Sequence, residues 1–291
     1  MKISELLNSF WQSVNYASFP KRNLRVDVEI LLCRILDCRR VDLYLEREKE
    51  VSVDAAEKFY NFLEKRTQGV PVQYLIKETE FFGMKFFIEE GVFIPRPETE
   101  VLVERLLDVL SRSSFGKPVD ILELCTGSGN IAVSLTKNCP DCKIVATDIN
   151  QKALSLAEKN ARWHKLSDRI DFLKGDLFEA LGKGEYSSKK FNVIVANPPY
   201  IARHKLKELP REVSYEPQAA LEAGSDGLEF YRKIIPQALY YLKAGGLLFL
   251  ETSGNNRKQI ADIFKKSRAF VPVLFFADLN NIYRFVIAKR Q

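Results

Sequence analysis

The sequence predicts an α/β protein. We expect a doubly wound, mostly parallel sheet of seven strands with an antiparallel last strand, preceded by a small helical domain and a β-hairpin linker. Beyond about residue 98, apolar segments of strand length alternate with helical patterns, which is typical of a parallel sheet covered on both faces. Only a short loop separates the last two apolar segments, so they should run antiparallel. Residues 1–75 show helical periodicity alone.

The helical domain is expected to comprise residues 1–75. Ser4 can cap an opening helix. The apolar side chains of this first helix are Leu6, Leu7, Phe10 and Trp11. Apolar spacing predicts two further helices, over Arg25–Asp37 and Asp54–Arg66, and the tripeptide that starts at Gly69 should end this region.

Residues 76–97 are expected to form a hairpin and a linker. Phe81–Ile88 has the pattern of a hairpin with Gly83 in or near its turn. The two prolines of Ile94–Pro97 exclude a regular helix there. Residues 98–291 should form the sheet domain, which opens with a helix over Glu98–Leu110. Its predicted strands are Val119–Leu124, Lys143–Thr147, Ile170–Lys174, Asn192–Ala196, Leu247–Glu251, Val271–Ala277 and Tyr283–Ala288.

Composition and charge exclude several classes of protein. The chain is 46% hydrophobic and 28% charged, which is ordinary for a globular protein and excludes a disordered chain. No apolar run reaches the roughly 18 residues of a membrane helix, and no secretory or transit signal is visible, so we expect a cytoplasmic protein. The net charge is +6 without a long basic run. A direct nucleic-acid partner is therefore not expected.

Five cysteines are scattered along the chain, and their odd number favours a reducing compartment. Cys139 and Cys142 form one C-x-x-C pair. Zinc would need a second pair or nearby histidines, and neither is present, so no metal site is predicted. We expect this tetrapeptide to be a turn that leads into a strand, with a redox or metal role as the minor alternative.

Polar residues follow four consecutive predicted strands. In doubly wound sheets, ligands bind beyond the carboxyl ends of the strands. The residues found there are Glu123–Gly129, Asp148, Asp176 with Leu177, and Asn197–Tyr200. Their convergence on one rim of the sheet predicts a ligand site.

The first of these segments predicts a nucleoside ligand. Gly127 and Gly129 allow close approach to the backbone, and the helix that follows presents free N–H groups. Asp148, at the end of the next strand, suits a ribose diol. With Ala132, the two glycines also satisfy the fingerprint of NAD-binding dehydrogenases. Against that alternative, the Glu123 carboxylate would repel a pyrophosphate and attract the ammonium group of a methionine moiety.

The tetrapeptide Asn197–Tyr200 suits methyl transfer to a planar nitrogen and has no role in hydride transfer. Such a nitrogen needs two acceptors for its N–H groups more than it needs a strong base. The side-chain oxygen of Asn197 and the carbonyl of Pro198 can be those acceptors. Two prolines fix the backbone, and Tyr200 offers a π face to a planar group or a developing positive charge.

Several segments together resemble a known family. Asn197–Tyr200 and the glycine turn resemble class I S-adenosylmethionine-dependent methyltransferases that act on planar nitrogens. The chain is also similar, over essentially its whole length, to release factor glutamine methyltransferases of the HemK/PrmC type. The further segments that carry this similarity are Arg25–Leu32, Gly69–Leu75, Phe81–Gly83, Gly91–Glu100 and Glu216-Pro217.

The resemblance implies the activity, the cofactor and the division into domains. Family members transfer a methyl group from S-adenosylmethionine to the glutamine amide of the Gly-Gly-Gln motif in class 1 peptide chain release factors, leaving S-adenosylhomocysteine. Residues 98–291 would be the methyltransferase domain. The helical residues 1–75 would dock the release factor, which would be the protein partner. We expect the enzyme to be a monomer.

The resemblance also implies a role for each rim residue. The cofactor-binding residues would be Glu123, Cys125, Thr126, Gly127, Ser128, Gly129, Asp148, Asp176, Leu177 and Asn197. Asn197, Pro198, Pro199 and Tyr200 would bind the substrate glutamine, with Asn197, Pro198 and Tyr200 acting in catalysis. The chain departs from the family pattern at Cys125 and Lys77, where a glycine is usual, and at Glu123, where an aspartate is usual.

Two other functions remain open. A methyltransferase acting on an adenine or guanine amino group would use the same tetrapeptide, but would need a basic groove for a flipped base. A binding protein that has kept the fold without activity is a third possibility, against which the intact Glu123, Asp148 and Asn197 argue.

Overall fold

The computed structural model describes residues 1–13, 21–182 and 184–291, without the side chains of residues 9–13 and 21–23. The chain divides into two compact units. One comprises residues 1–78 with 210–215, and the other comprises residues 79–209 with 216–291. No helix in these described parts is long and apolar enough to cross a membrane.

The first unit is helical, as predicted. Its helices are α1 (Ile3–Ser13), α2 (Lys21–Leu36), α3 (Asp42–Leu45), α4 (Val53–Thr67) and α5 (Val72–Ile76). They enclose an apolar core that includes Leu6, Leu31 and Phe59. The segment Pro210–Tyr215 belongs to the same unit.

Three details of the helical unit differ from the sequence prediction, and a fourth lies outside the described residues. Ser4 lies inside α1 and is not its cap, because Lys2 pairs with Glu50 and the helix begins immediately afterwards. The predicted side chains of Phe10 and Trp11 lie outside the described residues. Helix α3 was not predicted. The break at Gly69 is followed at once by α5, which also was not predicted.

Buried charges in this unit explain the Arg25–Leu32 motif. Glu29 is 1% exposed and accepts hydrogen bonds from Arg25, Arg40 and Tyr44. Asp27 accepts from the guanidinium of Arg66 at 2.7 Å. The charged residues of the motif are therefore paired, and loss of one partner would leave a buried charge without compensation.

A two-stranded hairpin, β1 (Glu78–Phe81) and β2 (Met84–Phe87), follows in the chain and confirms the predicted hairpin. Gly83 lies in its turn with a φ of +67°. Ile94–Pro97 is irregular, as predicted from its prolines. Asn160 of the sheet domain pairs with the backbone of Phe87 in β2, accepting at 2.8 Å and donating at 3.1 Å.

The predicted seven-stranded sheet is confirmed, in the order β5-β4-β3-β6-β7-β9-β8. All neighbouring strands up to β7 are parallel, and β9 is antiparallel to both of its neighbours. The strands are β3 (Val119–Leu124), β4 (Cys142–Asp148), β5 (Ile170–Lys174), β6 (Phe191–Ala196), β7 (Leu242–Glu251), β8 (Phe270–Phe276) and β9 (Phe285–Arg290).

Helices cover both faces of the sheet, because strand residues alternate between two apolar cores. Ile121 faces the core that also holds residues of α6, α7 and α8, whereas Leu122 faces the core that holds residues of α9 and α10. The helices are α6 (Glu98–Arg112), α7 (Asn130–Asn138), α8 (Gln151–Trp163), α9 (Glu229–Tyr241) and α10 (Arg257–Ser267).

The C-x-x-C segment forms the predicted turn, and it is also cross-linked. Cys139 ends α7 and Cys142 begins β4, with a disulfide between them. The prediction that this pair would be a turn alone was therefore incomplete. Both residues lie at the amino end of β4, opposite the carboxyl rim.

Candidate active site

The register of the strands places four residues at the carboxyl ends of neighbouring strands in one row. In the pairings of β3 with β4 and with β6, Leu124 stands opposite Thr147 on one side and Ala196 on the other. Ala196 in turn stands opposite Leu250 of β7. The next residues of these four strands are Asp148, Cys125, Asn197 and Glu251. Because neighbouring strands lie about 4.8 Å apart, these residues share one rim of the sheet.

Asp148 holds the glycine turn in place. Its Oδ2 accepts from the backbone N–H of Gly127 at 2.8 Å, and its Oδ1 accepts from the N–H of Asn150 at 2.8 Å. Burial raises the pKa of Asp148, against the effect of these hydrogen bonds. Each carboxylate oxygen keeps a second lone pair, so the group can still accept from a ligand hydroxyl.

The two glycines of the turn are required for different reasons. A Cβ on Gly127 would meet no atom within 4 Å, so its backbone borders open space. A Cβ on Gly129 would lie 2.9 Å from Cβ of Ala157 in α8. Gly129 therefore allows α7 to pack closely on α8, and Gly127 is the glycine that a ligand can approach.

Glu123 lies beneath the turn and is fully buried. Its Oε2 accepts from the hydroxyl of Thr126 at 2.8 Å, while Oε1 makes no hydrogen bond to the described residues. Burial raises the pKa of Glu123 to about 8, and the hydroxyl of Thr126 and the nearby backbone amide of Ala132 oppose that rise. An unsatisfied buried carboxyl oxygen invites a cationic or N–H donor from a ligand.

Two residues at glycine positions of the family have left-handed backbones. Cys125 has a φ of +58°, and Lys77, just after α5, has a φ of +60°. A side chain in this region is strained by about 1 kcal/mol or more. The glycines usual at these two positions suit a left-handed backbone. This chain adopts the same backbone conformation with Cys125 and Lys77. Burial raises the pKa of the Cys125 thiol, which keeps it protonated.

Ser128, Asp176 and Leu177 complete the predicted cofactor residues. The hydroxyl of Ser128 donates to the side chain of Asn130 at 3.2 Å, and its carbonyl accepts from Asn160 at 2.9 Å. Asp176 is half-buried after β5, on the same rim. The Leu177 side chain is buried in the apolar core beneath the sheet. For a ligand, only the backbone of Leu177 is a suitable contact.

Asn197, Pro198, Pro199 and Tyr200 form an irregular segment directly after β6. Both prolines are buried and carry no N–H group, which restricts the backbone. The amide nitrogen of Asn197 donates to Oγ1 of Thr99 at 3.2 Å. Burial and the nearby Glu251 raise the pKa of Tyr200, so its phenol is neutral at physiological pH.

Thr99 and Glu251 are site residues to which the sequence analysis assigned no role. Oγ1 of Thr99 donates to Oε2 of Glu251 at 2.7 Å, and both residues are 1% exposed. Burial raises the pKa of Glu251 to about 7, against the hydrogen bond from Thr99 and the charge of Arg284. Glu251 ends β7 as Asp148 ends β4. A search of every strand end for carboxylates would have found it.

Glu216 anchors the irregular segment that precedes α6. Its carboxylate, which is buried, accepts from the backbone N–H of Ile94 at 3.1 Å and from the guanidinium of Arg96. Two segments that carry the family resemblance are thus bonded to each other. This contact fixes the start of α6, from which Thr99 reaches Asn197.

Comparisons with known proteins identify related families for both parts of the chain. A family model described as the PrmC N-terminal domain matches residues 21–76, and the methyltransferase small domain matches residues 84–225. A crystal structure of a methyltransferase from Pyrococcus furiosus is 19% identical, with a TM-score of 0.50 over 72% of this chain and 90% of that chain. At that sequence identity, the similarity shows only that the two proteins share a fold.

Curated relatives define the family more narrowly. The release factor glutamine methyltransferase of Clostridium acetobutylicum is 34% identical over 91% of this chain and 90% of its own length. The protein of the same name from Thermodesulfovibrio yellowstonii is 37% identical over 100% of this chain and 97% of its own length. With the PrmC N-terminal domain, the methyltransferase sheet and the polar rim all present in one chain, the protein belongs to the release factor glutamine methyltransferase family.

Proposed function

We propose that the protein methylates the side-chain amide nitrogen of the glutamine in the Gly-Gly-Gln motif of class 1 peptide chain release factors, with S-adenosylmethionine as cofactor. The observation that carries the proposal is the strand register, which sets Asp148, Cys125 and Asn197 side by side. A nucleoside-binding turn and a segment suited to a planar nitrogen are thereby adjacent. Family membership supports the choice of a glutamine on a release factor.

The residues present suit this cofactor. The open backbone at Gly127 admits a ligand, and Asp148 offers acceptors to ribose hydroxyls. The unsatisfied Oε1 of Glu123 suits the ammonium group of the methionine moiety. Asp176 and the backbone of Leu177 would face the adenine. Bound there, the cofactor supplies an electrophilic methyl group on a sulfonium.

The chain's own part in the reaction is to hold and orient the glutamine amide. The Nδ2 of Asn197 is engaged with Thr99, so its Oδ1 is the atom left to accept a substrate N–H. The Pro198 carbonyl would accept the second N–H. These two acceptors would draw the nitrogen toward tetrahedral geometry as its bond to the methyl carbon forms and the bond from that carbon to the cofactor sulfur breaks. The methylated nitrogen then releases one proton to solvent, and no strong base is required.

We further propose that the enzyme is a cytoplasmic monomer with no direct nucleic-acid partner. Its substrate acts at the ribosome, which supports the location. The helical residues 1–75 would dock the release factor, residues 76–97 would link the two parts, and residues 98–291 would carry out methyl transfer. A lone glutamine has a small contact area, so a remote surface must supply much of the binding energy.

A labelling experiment tests the function. The protein is incubated with methyl-labelled S-adenosylmethionine and either a purified class 1 release factor or total RNA and DNA. We expect label in the release factor only, and none in a release factor whose Gly-Gly-Gln glutamine is replaced by alanine. Label in the nucleic acid would instead support the amino-group methyltransferase.

The variant Asn197→Ala tests the role of the rim. Loss of one preorganised partner of a transition state typically lowers the rate by about 10²–10³. We expect that loss in single-turnover methylation, with cofactor affinity largely retained. Near-normal turnover would contradict the role proposed for Asn197.

A further inference from the structure

Asn197 can help the reaction only if its amide presents oxygen to the substrate. The two ends of an asparagine amide have the same shape but opposite hydrogen-bonding character. Rotation by 180° would present an NH₂ group to the N–H groups of the glutamine. Some other group must therefore determine which end faces the substrate, since shape alone cannot.

Three side chains, linked by hydrogen bonds, determine which end of the amide faces the substrate. Nδ2 of Asn197 donates to Oγ1 of Thr99 at 3.2 Å, and Oγ1 of Thr99 donates to Oε2 of Glu251 at 2.7 Å. A hydroxyl has one hydrogen, and above its pKa of about 7 the Glu251 carboxylate is ionised and can only accept. Thr99 must therefore offer a lone pair to Asn197, and only the NH₂ end of the asparagine amide can use it.

The three hydrogen-bonded side chains come from three different parts of the fold. Thr99 lies in the first turn of α6, Asn197 follows β6, and Glu251 ends β7. The backbone carbonyl of Glu251 accepts from the hydroxyl of Tyr231 in α9 at 2.8 Å, and Tyr231 is fully buried. Neither Thr99 nor Glu251 can exchange its partner for water without opening the core.

We infer that Thr99 and Glu251 are positioning residues, which fix the amide of Asn197 with its oxygen toward the substrate nitrogen. The inference rests on the proposed function for the identity of that nitrogen. Neither residue touches the reacting atoms. Their effect is on the geometry of transfer, so their loss should lower kcat and leave cofactor binding unchanged.

The variant pair Thr99→Val and Thr99→Ser tests the inference. Valine keeps the shape and removes the hydroxyl, whereas serine keeps the hydroxyl. We expect Thr99→Val to lower kcat roughly 10- to 100-fold, with unchanged affinity for S-adenosylmethionine, and Thr99→Ser to restore most of the rate. The matched control is Thr136→Val in α7, since Thr136 is equally buried and its hydroxyl has no partner among the described residues. That variant should behave as wild type.

A double-mutant cycle separates positioning from general packing. If Thr99 acts through Asn197, Thr99→Val should cause little further loss in the Asn197→Ala background. Equal effects of Thr99→Val and Thr99→Ser, or independent losses in the double variant, would overturn the inference. Wild-type protein that labels no release factor would be a failure of the proposed function, and the next measurement covers that case.

Proton exchange at the side chain of Asn197 needs no substrate. Its ¹⁵NH₂ signal can be assigned by its absence in Asn197→Ala. In wild-type protein the amide protons should exchange with deuterated solvent more slowly than in Thr99→Val, because the bond to Thr99 must open first. Equal exchange rates in the two proteins would show that Thr99 does not hold the amide, and would overturn the inference whatever the substrate is.

Discussion

The backbone N–H of Gly127 donates to Oδ2 of Asp148 at 2.8 Å, although Gly127 follows β3 and Asp148 ends β4. Asp148 therefore both shapes the glycine turn and faces the ligand site. A single substitution at Asp148 should affect the backbone that receives the cofactor as well as the direct contact with it.

The variant Asp148→Ala should weaken binding of S-adenosylmethionine by at least about tenfold. Charge-assisted hydrogen bonds contribute about 1.5–3 kcal/mol each, and 1.4 kcal/mol corresponds to a factor of ten in affinity. Calorimetric titration measures the change. The control is Asp108→Ala, which removes a surface carboxylate paired with Arg112 in α6. Unchanged affinity in Asp148→Ala would remove Asp148 from the cofactor site.

Binding of the cofactor should release a proton from Glu123. Burial raises the pKa of Glu123 to about 8, so the carboxyl is largely protonated at pH 6 to 7. An ammonium group favours the ionised form, so affinity should rise with pH over this range, by up to about tenfold per unit. The cofactor's own amino group, with a reference pKa near 7.7–8.0, stays charged there.

The measurement is calorimetry in two buffers of different ionisation enthalpy at pH 6.5. The difference in apparent binding enthalpy gives the number of protons released. Glu123→Gln keeps the size of the side chain and cannot ionise, so its affinity should change less with pH. If wild type and Glu123→Gln release the same number of protons, Glu123 is not the group that titrates.

The docking role of the helical unit is best tested by point variants. Deleting residues 1–75 would also remove the partners of the segment Pro210–Tyr215, which belongs to the same unit. In that segment, Glu212 accepts from the buried Arg66 at 2.7 Å. Leu45 and Val53 are 76% and 73% exposed, so replacing both by serine should leave the core intact. We expect a higher KM for the release factor, with kcat and cofactor affinity unchanged.

Tyr240→Ser in α9 is the control for that experiment, because the large aromatic side chain of Tyr240 is 71% exposed, but on the methyltransferase unit. Its KM should match wild type. An unchanged KM in the Leu45→Ser/Val53→Ser variant would mean that these two exposed side chains do not dock the release factor.

Reduction of the Cys139–Cys142 disulfide should lower stability without affecting catalysis. The bond closes a very short loop, for which the chain-entropy estimate is about 2 kcal/mol. Cys142 begins β4 and Asp148 ends it, which separates the disulfide from the rim by roughly 20 Å. Denaturant unfolding of wild type should shift on reduction, while methyl transfer stays constant. The double variant Cys139→Ser/Cys142→Ser should not respond to reductant, and a response there would contradict the assignment.

The sheet was predictable because its strands are continuous apolar segments between helical patterns. β3 and β5 have the predicted bounds, and the other strands differ from prediction at one or both ends. Ends of strands depend on partners far away in the chain. β7 begins at Leu242 because Leu242 pairs with Phe191 of β6, a contact that periodicity cannot reveal. Helix α3, only four residues long, gave no periodic signal.

The sequence by itself determined the fold class, the family and the set of polar residues at the strand ends. Apolar periodicity and motifs involve residues that are close together in the sequence, so they can be recognised without the structure. Only the tertiary structure decided how those residues act together. Gly127 and Asp148 meet across two strands, Gly129 serves the packing of α7 on α8, and Thr99 is bonded between Asn197 and Glu251. Hydrogen bonds and close packing depend on distances in space, and residues 98 or 152 positions apart in the chain become neighbours only when the sheet forms.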